Sequence, residues 1–388
     1  MSKKDFLVTH FNLPDNFSND IRDLRHFLST AVKANARTLR PLIFDDGKFH
    51  YPEEAYNLYK LLFPSKVDSF LNDKNIENLI IIPDGKMATV PFEVFLTEEY
   101  KKVEDNKKFS ELPYLLNKYN ISYNYSATLF NNKKSKELSV NDLIAFAPVF
   151  NDEKTSGTTK TTRSILSLSK DKTKTRSFLF DGRYVNPLPG TEVEVDSIFN
   201  LYKKNGKKAM IKTHLHANEN FVKSGELVKY KIIHFATHGF VNEEKPKFSG
   251  ILFSQDTTVN TDNIYLEYSS KQQNEGILYQ SEIYNLEFNA ELVVLSACET
   301  GLGKITKSEG VIGLTRALLY AGSKNIIVSL WQVSDDGTKE LMIKFYENLL
   351  KNEKEKFSIH LRKAKNVLIK DGKYAHPYFW SPFILIGE

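Results

Sequence analysis

The segment VVLSACETGLGKI (residues 293–305) joins an apolar run of β-forming residues to a glycine-containing turn, and it holds the only cysteine of the 388-residue chain. A short apolar run that ends in a turn is typical of a strand buried on both faces of a parallel sheet. The Gly303-Lys304 pair raises the alternative of a phosphate-binding loop, which needs a glycine five residues earlier and Ser or Thr after the lysine. Those two positions hold Cys298 and Ile305, so we do not expect a phosphate loop.

Other segments share the form of an apolar run followed by a polar or glycine-containing turn. They are NLIIIPDGK (78–86), DLIAFAPVF (142–150), YKIIHFATHG (230–239) and KNIIVSLWQV (324–333). Apolar residues at helical spacing predict helices at 15–35, with Asp15 or Asn16 as the cap, and at 52–63, 192–206, 308–322 and 337–352. This alternation predicts a doubly wound α/β fold with a mostly parallel sheet, whose functional sites lie at the carboxyl ends of the strands.

The composition describes an ordinary water-soluble protein, with 41% hydrophobic and 26% charged residues. The net charge of +5, from 53 basic and 48 acidic residues, is too small to indicate nucleic-acid binding. One cysteine excludes an internal disulfide and fits a reducing compartment. We find no signal peptide and no uncharged apolar run near the roughly 18 residues that span a bilayer. We therefore expect a cytoplasmic protein without nucleic-acid or membrane partners.

Two segments rich in polar residues interrupt the alternation. Residues 151–177 are rich in Ser, Thr and Lys, and residues 254–276 form a second polar stretch. Both are predicted to be long loops. The first is interpreted as a surface loop or linker, with an activation or processing loop as the alternative because its Arg and Lys residues are protease sites.

A thiol needs a nearby base to become a thiolate at neutral pH, because its ordinary pKa is about 8.5. His238 is the candidate base, since it also follows an apolar strand, in HFATHGF (234–240). If the two strands are neighbours, His238 and Cys298 meet at the carboxyl edge of the sheet. The main-chain N–H groups of Gly239 and Cys298 are the candidate oxyanion donors.

The simpler alternatives are a cysteine that is only a buried small residue and a histidine that is only hydrogen-bonded in the core. The occurrence of both after apolar strands, each followed by a glycine-bearing turn, favours catalysis. His234 lies four residues before His238, about 13 Å along a strand, which is too far for shared metal ligation. We expect His234 to be a buried structural residue, and we expect neither a metal nor a cofactor.

HFATHG (234–239), together with the long segment from LSACETGLGK to SLWQVSDDGT (295–338), resembles the CHAT family of caspase-like, separase-related cysteine proteases, which are often joined to tetratricopeptide repeats. The resemblance extends to further segments: IIIPDGKMATVPFEVFL (80–96), YNISYNYSATLF (119–130), LIAFAPVF (143–150), LPGTEVEV (188–195) and HPYFWSPFILIG (376–387). It covers the chain from about residue 52 to the end. Residues 1–51 are then a helical N-terminal extension, and 52–388 are the CHAT domain.

The resemblance implies a caspase-like sheet in two related halves. Residues 52–180, including the loop at 151–177, are the half without the dyad, and residues 181–388 are the catalytic half. It implies His238 as the general base and Cys298 as the nucleophile, with Gly239 and Cys298 supplying the oxyanion donors.

The segment LWQVSDDGT (330–338) resembles the loop that helps to form the pocket for the substrate side chain before the cut. Asp335 and Asp336 in that loop would favour arginine or lysine. The alternative is that Ser334 or an aspartate only caps the following helix. Glu299, beside the nucleophile, either lines the cleft or is solvated.

The preferred hypothesis is a cysteine endopeptidase that cuts a protein substrate after a basic residue; the resemblance associates such enzymes with bacterial defence. One alternative is a catalytically idle caspase-like binding or regulatory module, and another is a thiol amidase that acts on small molecules. The tetratricopeptide repeats of the family do not occur in these 388 residues, so the chain is either a free-standing protease or a catalytic piece of a longer chain. A protein substrate and a regulatory or recruiting protein are the candidate partners.

Overall fold

The computed structural model describes residues 6–10, 12–35, 38–41, 50–100, 106–127, 139–150, 179–180, 183–184, 187–242, 245–254, 276–296 and 309–388. The helices in these ranges are α1 (Phe17–Ser29), α2 (Tyr51–Leu62), α3 (Ser65–Asp73), α4 (Leu115–Lys118), α5 (Pro189–Lys204), α6 (Glu219–Lys223), α7 (Gln280–Ile283), α8 (Glu309–Tyr320), α9 (Asp335–Lys351), α10 (Phe357–Asp371) and α11 (Pro377–Trp380).

The strands are β1 (Ala31–Asn35), β2 (Thr38–Pro41), β3 (Asn78–Ile81), β4 (Asn120–Tyr123), β5 (Asn141–Ala147), β6 (Leu179–Phe180), β7 (Arg183–Tyr184), β8 (Ala209–Thr213), β9 (Tyr230–Phe235), β10 (Gly239–Phe240), β11 (Gly250–Leu252), β12 (Ile277–Tyr279), β13 (Leu292–Leu295), β14 (Ile326–Ser329) and β15 (Phe383–Ile386).

A central sheet of eight described strands organises the molecule, in the order β3-β4-β15-β14-β13-β9-β5-β8. From β14 to β8 every neighbouring pair is parallel, and β3, β4 and β15 are parallel to one another. The two groups meet at the antiparallel pair of β14 and β15. The predicted mixed α/β fold with a mostly parallel sheet is therefore confirmed. The division into an idle and a catalytic half stays a prediction.

The central strands are buried because the apolar runs predicted from the sequence have neighbours on both sides. All four residues of β13 and of β14 are buried. β3 differs, since its residues alternate between exposed and partly buried positions. The expectation that this apolar run is buried on both faces is wrong, because β3 is an edge strand with β4 as its one neighbour in the sheet.

The helix predicted at 15–35 is wrong in its last third. Helix α1 ends at Ser29, and Thr30 is extended with φ −94° and ψ 133°. Residues 31–35 form β1, which pairs antiparallel with β2. β-branched residues at 30 and 32 favour extended backbone, and strand pairing supplies the hydrogen bonds that the helix would have made. At the start of α1, Asn16 hydrogen-bonds the Asp20 side chain rather than the helix backbone.

The other predicted helices occur with small shifts in their ends. The predictions at 52–63, 192–206 and 337–352 correspond to α2, α5 and α9, and the prediction at 308–322 corresponds to α8. The predicted loop at 151–177 and nearly all of the one at 254–276 lie outside the described residues. In the described ranges, every helix is too short or too polar to cross a bilayer.

Candidate active site

The candidate site lies at the edge where four neighbouring parallel strands end. β14, β13, β9 and β5 are adjacent in this order, so their carboxyl ends meet at one edge of the sheet. Phe150 follows β5, His238 follows β9 and Asp335 follows β14. Cys298 and Glu299 follow β13 in the sequence but lie outside the described residues. The expectation that the strands before His238 and Cys298 are neighbours is confirmed.

The register between β9 and β13 relates the two candidate residues. Phe235 stands opposite Leu295, and the Ser296 N–H donates to the Phe235 carbonyl oxygen with an N–O distance of 3.0 Å. His238 comes three residues after Phe235, and Cys298 comes three residues after Leu295 in the sequence. His238 and Cys298 therefore follow, by the same number of residues, two strand positions that are paired in the sheet.

His238 is buried, with 1% of its surface exposed, in a turn that is held by hydrogen bonds. Its carbonyl oxygen accepts from the Leu252 N–H at 2.8 Å, and the Thr237 hydroxyl donates to the Leu252 carbonyl at 2.6 Å. The His238 ring packs against the Phe150 ring with centroids 5.4 Å apart. The imidazole therefore has a defined position between β11 and the end of β5.

Gly239 begins β10 and stands opposite Ile251 of β11. The neighbouring ladder bond runs from Leu252 N–H to the His238 oxygen, which makes Gly239 and Ile251 a non-hydrogen-bonded pair. In such a pair the N–H points away from the partner strand. The Gly239 N–H is therefore not used by β11.

The segment after β5 was not predicted to belong to the site, because the apolar run at 142–150 has the same pattern as any other buried strand. Val149 and Phe150 have φ values of +71° and +49°, in the left-handed region that β-branched and bulky residues rarely adopt. The Leu188 N–H donates to the Val149 oxygen at 2.8 Å. This bond connects the start of helix α5 to the segment that contacts His238.

His234 is fully buried and has partners at both ring nitrogens. Nε2 lies 2.7 Å from Glu194 Oε1 on α5, and Nδ1 lies 3.1 Å from the Tyr346 hydroxyl on α9. The predicted buried structural role is confirmed. The ring joins β9 to both helices. In the described part of the chain the second oxygen of Glu194 has no hydrogen-bond partner.

The two aspartates of the predicted pocket loop have different surroundings. Ser334 is the N-cap of α9, since its hydroxyl accepts from the Gly337 N–H at 3.2 Å. Asp335 is bonded elsewhere: its Oδ2 accepts from the Gly190 N–H at 2.5 Å. Asp336 has 69% of its side chain exposed and lies 2.8 Å from Lys339 Nζ.

The pKa of Asp335 is raised to about 6. Burial is the main cause, because it removes water from the charged form, and the Gly190 N–H opposes it; the nearby carboxylates of Glu194 and Asp336 raise the pKa further. The sequence contained a signal for Gly190, the Pro-Gly pair that opens α5, but nothing in it indicated a contact with Asp335.

A CHAT domain family model matches residues 52–388. Tetratricopeptide repeat protein 28 from Homo sapiens and its counterpart from Mus musculus are 36% and 34% identical over 114 residues. The matched segment is 29% of this chain but only 4% of each relative.

Two solved structures are similar in outline. The Arg-specific cysteine proteinase gingipain R has a TM-score of 0.48 and 9% identity, over 96% of this chain and 75% of its own. The complex of Porphyromonas gingivalis RgpB pro- and mature domains has a TM-score of 0.45 and 10% identity, over 97% and 77% respectively.

Proposed function

The chain belongs to the CHAT domain family, and from this premise we propose that it is a cysteine peptidase that cleaves proteins through a thioacyl-enzyme intermediate. The observation that carries the proposal is the register of β9 and β13, in which Phe235 faces Leu295. His238 and Cys298 each follow these paired residues by three positions. A base and a nucleophile that leave adjacent parallel strands at the same offset are suited to act on one bond.

In the proposed reaction, His238 takes the proton of the Cys298 thiol, and the sulfur attacks the carbonyl carbon of the scissile peptide bond. The N–H groups of Gly239 and Cys298 stabilise the negative oxygen of the tetrahedral intermediate. The protonated His238 then gives its proton to the leaving amine. Water, activated by His238, hydrolyses the thioester and releases the acid product. This assignment is supported by the Gly239 N–H, which makes no ladder hydrogen bond to β11.

We assign recognition of a basic side chain before the cut to Asp335 and Asp336. Asp335 is the inner carboxylate, held at the start of α9, and Asp336 is the outer, exposed one. Glu299 is proposed to line the cleft beside the nucleophile. The context that the family resemblance indicates is regulated proteolysis, as in bacterial defence.

The test compares the wild type with Cys298→Ala and His238→Ala by mapping new N-termini in a mixture of unfolded proteins. We expect each substitution to reduce cutting by at least about a thousand-fold while the chain remains folded. His216→Ala is the matched control, since His216 is an exposed histidine that follows the edge strand β8 rather than β9 or β13. It should cut like the wild type.

Identical cuts in the wild type and Cys298→Ala would contradict the proposal. So would a natively folded wild type that makes no cuts under several activating conditions, and the idle binding module would then be the better reading. Cuts after arginine or lysine are expected; a preference for acidic residues before the cut would contradict the assignment of Asp335 and Asp336.

A further inference from the structure

Asp335 accepts a hydrogen bond from the Gly190 N–H of another helix, 145 residues away in the sequence. Helix α5 begins at Pro189, which has no N–H, so the Gly190 N–H is the first donor that α5 can offer. The first N–H groups of a helix have no partner within the helix, and the positive end of the helix dipole favours an anion there. The carboxylate of Asp335 satisfies this donor, and the start of α5 in turn stabilises the charged carboxylate.

The Asp335 carboxyl group occupies the space that a side chain at position 190 would need. A Cβ built there would lie 2.5 Å from Asp335 Oδ2, 2.6 Å from its Cγ and 2.8 Å from its Oδ1. Gly190 does not have a positive φ, so its backbone conformation suits any residue. An alanine at this position would therefore displace the Asp335 carboxylate rather than strain the backbone.

We propose that the Gly190 N–H is a positioning group for the carboxylate of Asp335, and that through it Gly190 sets the recognition of a guanidinium, amidinium or ammonium group. The inference rests on the assignment of Asp335 in the proposed function. One oxygen, Oδ2, is fixed by the N–H, while among the described residues Oδ1 accepts no hydrogen bond. A carboxylate anchored through one oxygen presents the other in a fixed direction, which reduces the entropy lost when a cation binds.

The same helix start is connected to the candidate base. The Leu188 N–H, two residues before Gly190, donates to the Val149 oxygen. The next residue, Phe150, packs against the His238 ring. The carboxylate and the imidazole are therefore positioned by one continuous set of contacts at the carboxyl edge of the sheet. In the proposed complex, the substrate whose cationic side chain is held at Asp335 also extends toward His238.

The test measures the binding of benzamidine, an amidinium probe, by calorimetry. All proteins carry Cys298→Ala, so that no peptide cleavage disturbs the measurement. We expect Gly190→Ala to weaken benzamidine binding about ten-fold or more, because the added methyl displaces the carboxylate and its charge-assisted hydrogen bond is lost.

The matched control is Tyr202→Leu, which loosens the same pair of helices at the other end of α5, where the Tyr202 and Tyr346 rings lie 5.9 Å apart. It should lower the melting temperature and leave benzamidine affinity unchanged. If Tyr202→Leu and Gly190→Ala weaken binding equally, the contact is only a structural tie between helices and the proposal is wrong.

Two further outcomes keep the proposal testable. If Gly190→Ala does not fold, Asp335→Asn replaces it: the amide oxygen still accepts from Gly190 N–H, but the charge is gone, and benzamidine binding should be lost. Retained binding in Asp335→Asn overturns the proposal, and so does a parent protein that does not bind benzamidine. Peptide cleavage by the protein with Cys298 intact is measured separately. Cleavage without benzamidine binding would leave the peptidase standing while refuting the role of Gly190.

Discussion

The carboxyl group of Asp335 is under opposing influences. Removal of water raises its pKa to about 6, and the carboxylates of Glu194 and Asp336 act in the same direction. The Gly190 N–H and the Lys339 ammonium act against them. The carboxylate that is proposed to bind a cation is thus kept in a place that penalises its charged form. This is the arrangement expected where binding a cation, rather than stability, is the use of the charge.

The sign of the effect on stability follows from the direction of the shift. The folded pKa of Asp335, about 6, lies above the ordinary value of 3.8, so the folded state holds this proton more tightly. The stabilising contribution is complete below about 3.8 and is lost as the pH rises through about 6. Asp335→Asn should therefore raise the melting temperature at pH 7.5, and the gain should shrink toward pH 4.5.

Differential scanning calorimetry from pH 4.5 to pH 8 would measure this change. Asp336→Asn is the control, since Asp336 is exposed and pairs with the partly buried Lys339 at the start of the same helix. It should produce a smaller and less pH-dependent change. A melting temperature of Asp335→Asn that falls below the wild type at pH 7.5 would show that the Gly190 bond outweighs the cost of burial.

Basic-substrate binding is expected to have the opposite pH dependence. Protonation of Asp335 below about pH 6 removes the charge that would hold a basic side chain. The KM for a peptide with arginine before the cut should rise as the pH falls through this range. A matched peptide with norleucine at that position should show no such rise, and kinetics on the pair between pH 5 and 8 would measure the difference. Parallel profiles for both peptides would contradict the assignment.

The elements that could be predicted from the sequence are those whose signal is local. The apolar runs before His238 and Cys298 indicated strands, and two strands of this kind in an alternating α/β pattern indicated one sheet edge. The helix predicted at 15–35 is too long because residues 31 and 32 continue its apolar spacing. Their pairing with β2 depends on tertiary structure, which the local pattern does not show.

What could not be predicted depends on distant partners. β15 is a short apolar run like the others, yet it alone is antiparallel to β14 in the central sheet of the described chain. The contact of Gly190 with Asp335 joins two helix starts that no periodicity relates. Phe150, which contacts the His238 ring, lies where the chain after β5 has left-handed backbone, and no periodicity in the sequence predicts this turn.

Helix α10 is attached to the N-terminal part of the sheet by a buried ion pair. Lys365 Nζ lies 2.9 Å from Glu93 Oε1, with 1% and 2% of the two side chains exposed. The Tyr123 hydroxyl of β4 donates to the other oxygen of Glu93 and accepts from the Phe92 N–H. Burial lowers the pKa of Lys365, and the Glu93 carboxylate opposes this effect.

Lys365→Met should destabilise the protein by about 3–5 kcal/mol, because it leaves the Glu93 charge buried without its partner. The double substitution Lys365→Met with Glu93→Leu should recover much of the loss, although Tyr123 then lacks an acceptor. Urea denaturation of the wild type, both single variants and the double variant gives the coupling energy. A double variant less stable than Lys365→Met would contradict this expectation, because it would show that Glu93 stabilises the fold without Lys365, through its hydrogen bond with the Tyr123 hydroxyl.

At the scale of the whole molecule, one strand joins two groups of parallel strands. β15 lies between β14 and β4, so it is hydrogen-bonded to the strands that carry the candidate site on one side and to the N-terminal strands on the other. Beyond β15, the Glu388 carboxylate accepts from the Ser358 N–H at 3.0 Å and from its hydroxyl at 2.7 Å at the start of α10. The last six residues therefore connect both groups and a helix.

Deletion of residues 383–388 should abolish cooperative folding, because β14 and β4 would each lose a buried neighbour and expose unpaired main-chain groups. Circular dichroism and thermal denaturation measure this result. Deletion of residues 1–12 is the control: Phe6 and Val8 are 82% and 61% exposed, so its melting temperature should equal that of the intact chain. A deletion of 383–388 that still melts cooperatively would show that the strands around His238 fold without the N-terminal strands. The single sheet would then consist of two independently stable units, and variants at the Lys365–Glu93 pair would leave the candidate site unaffected.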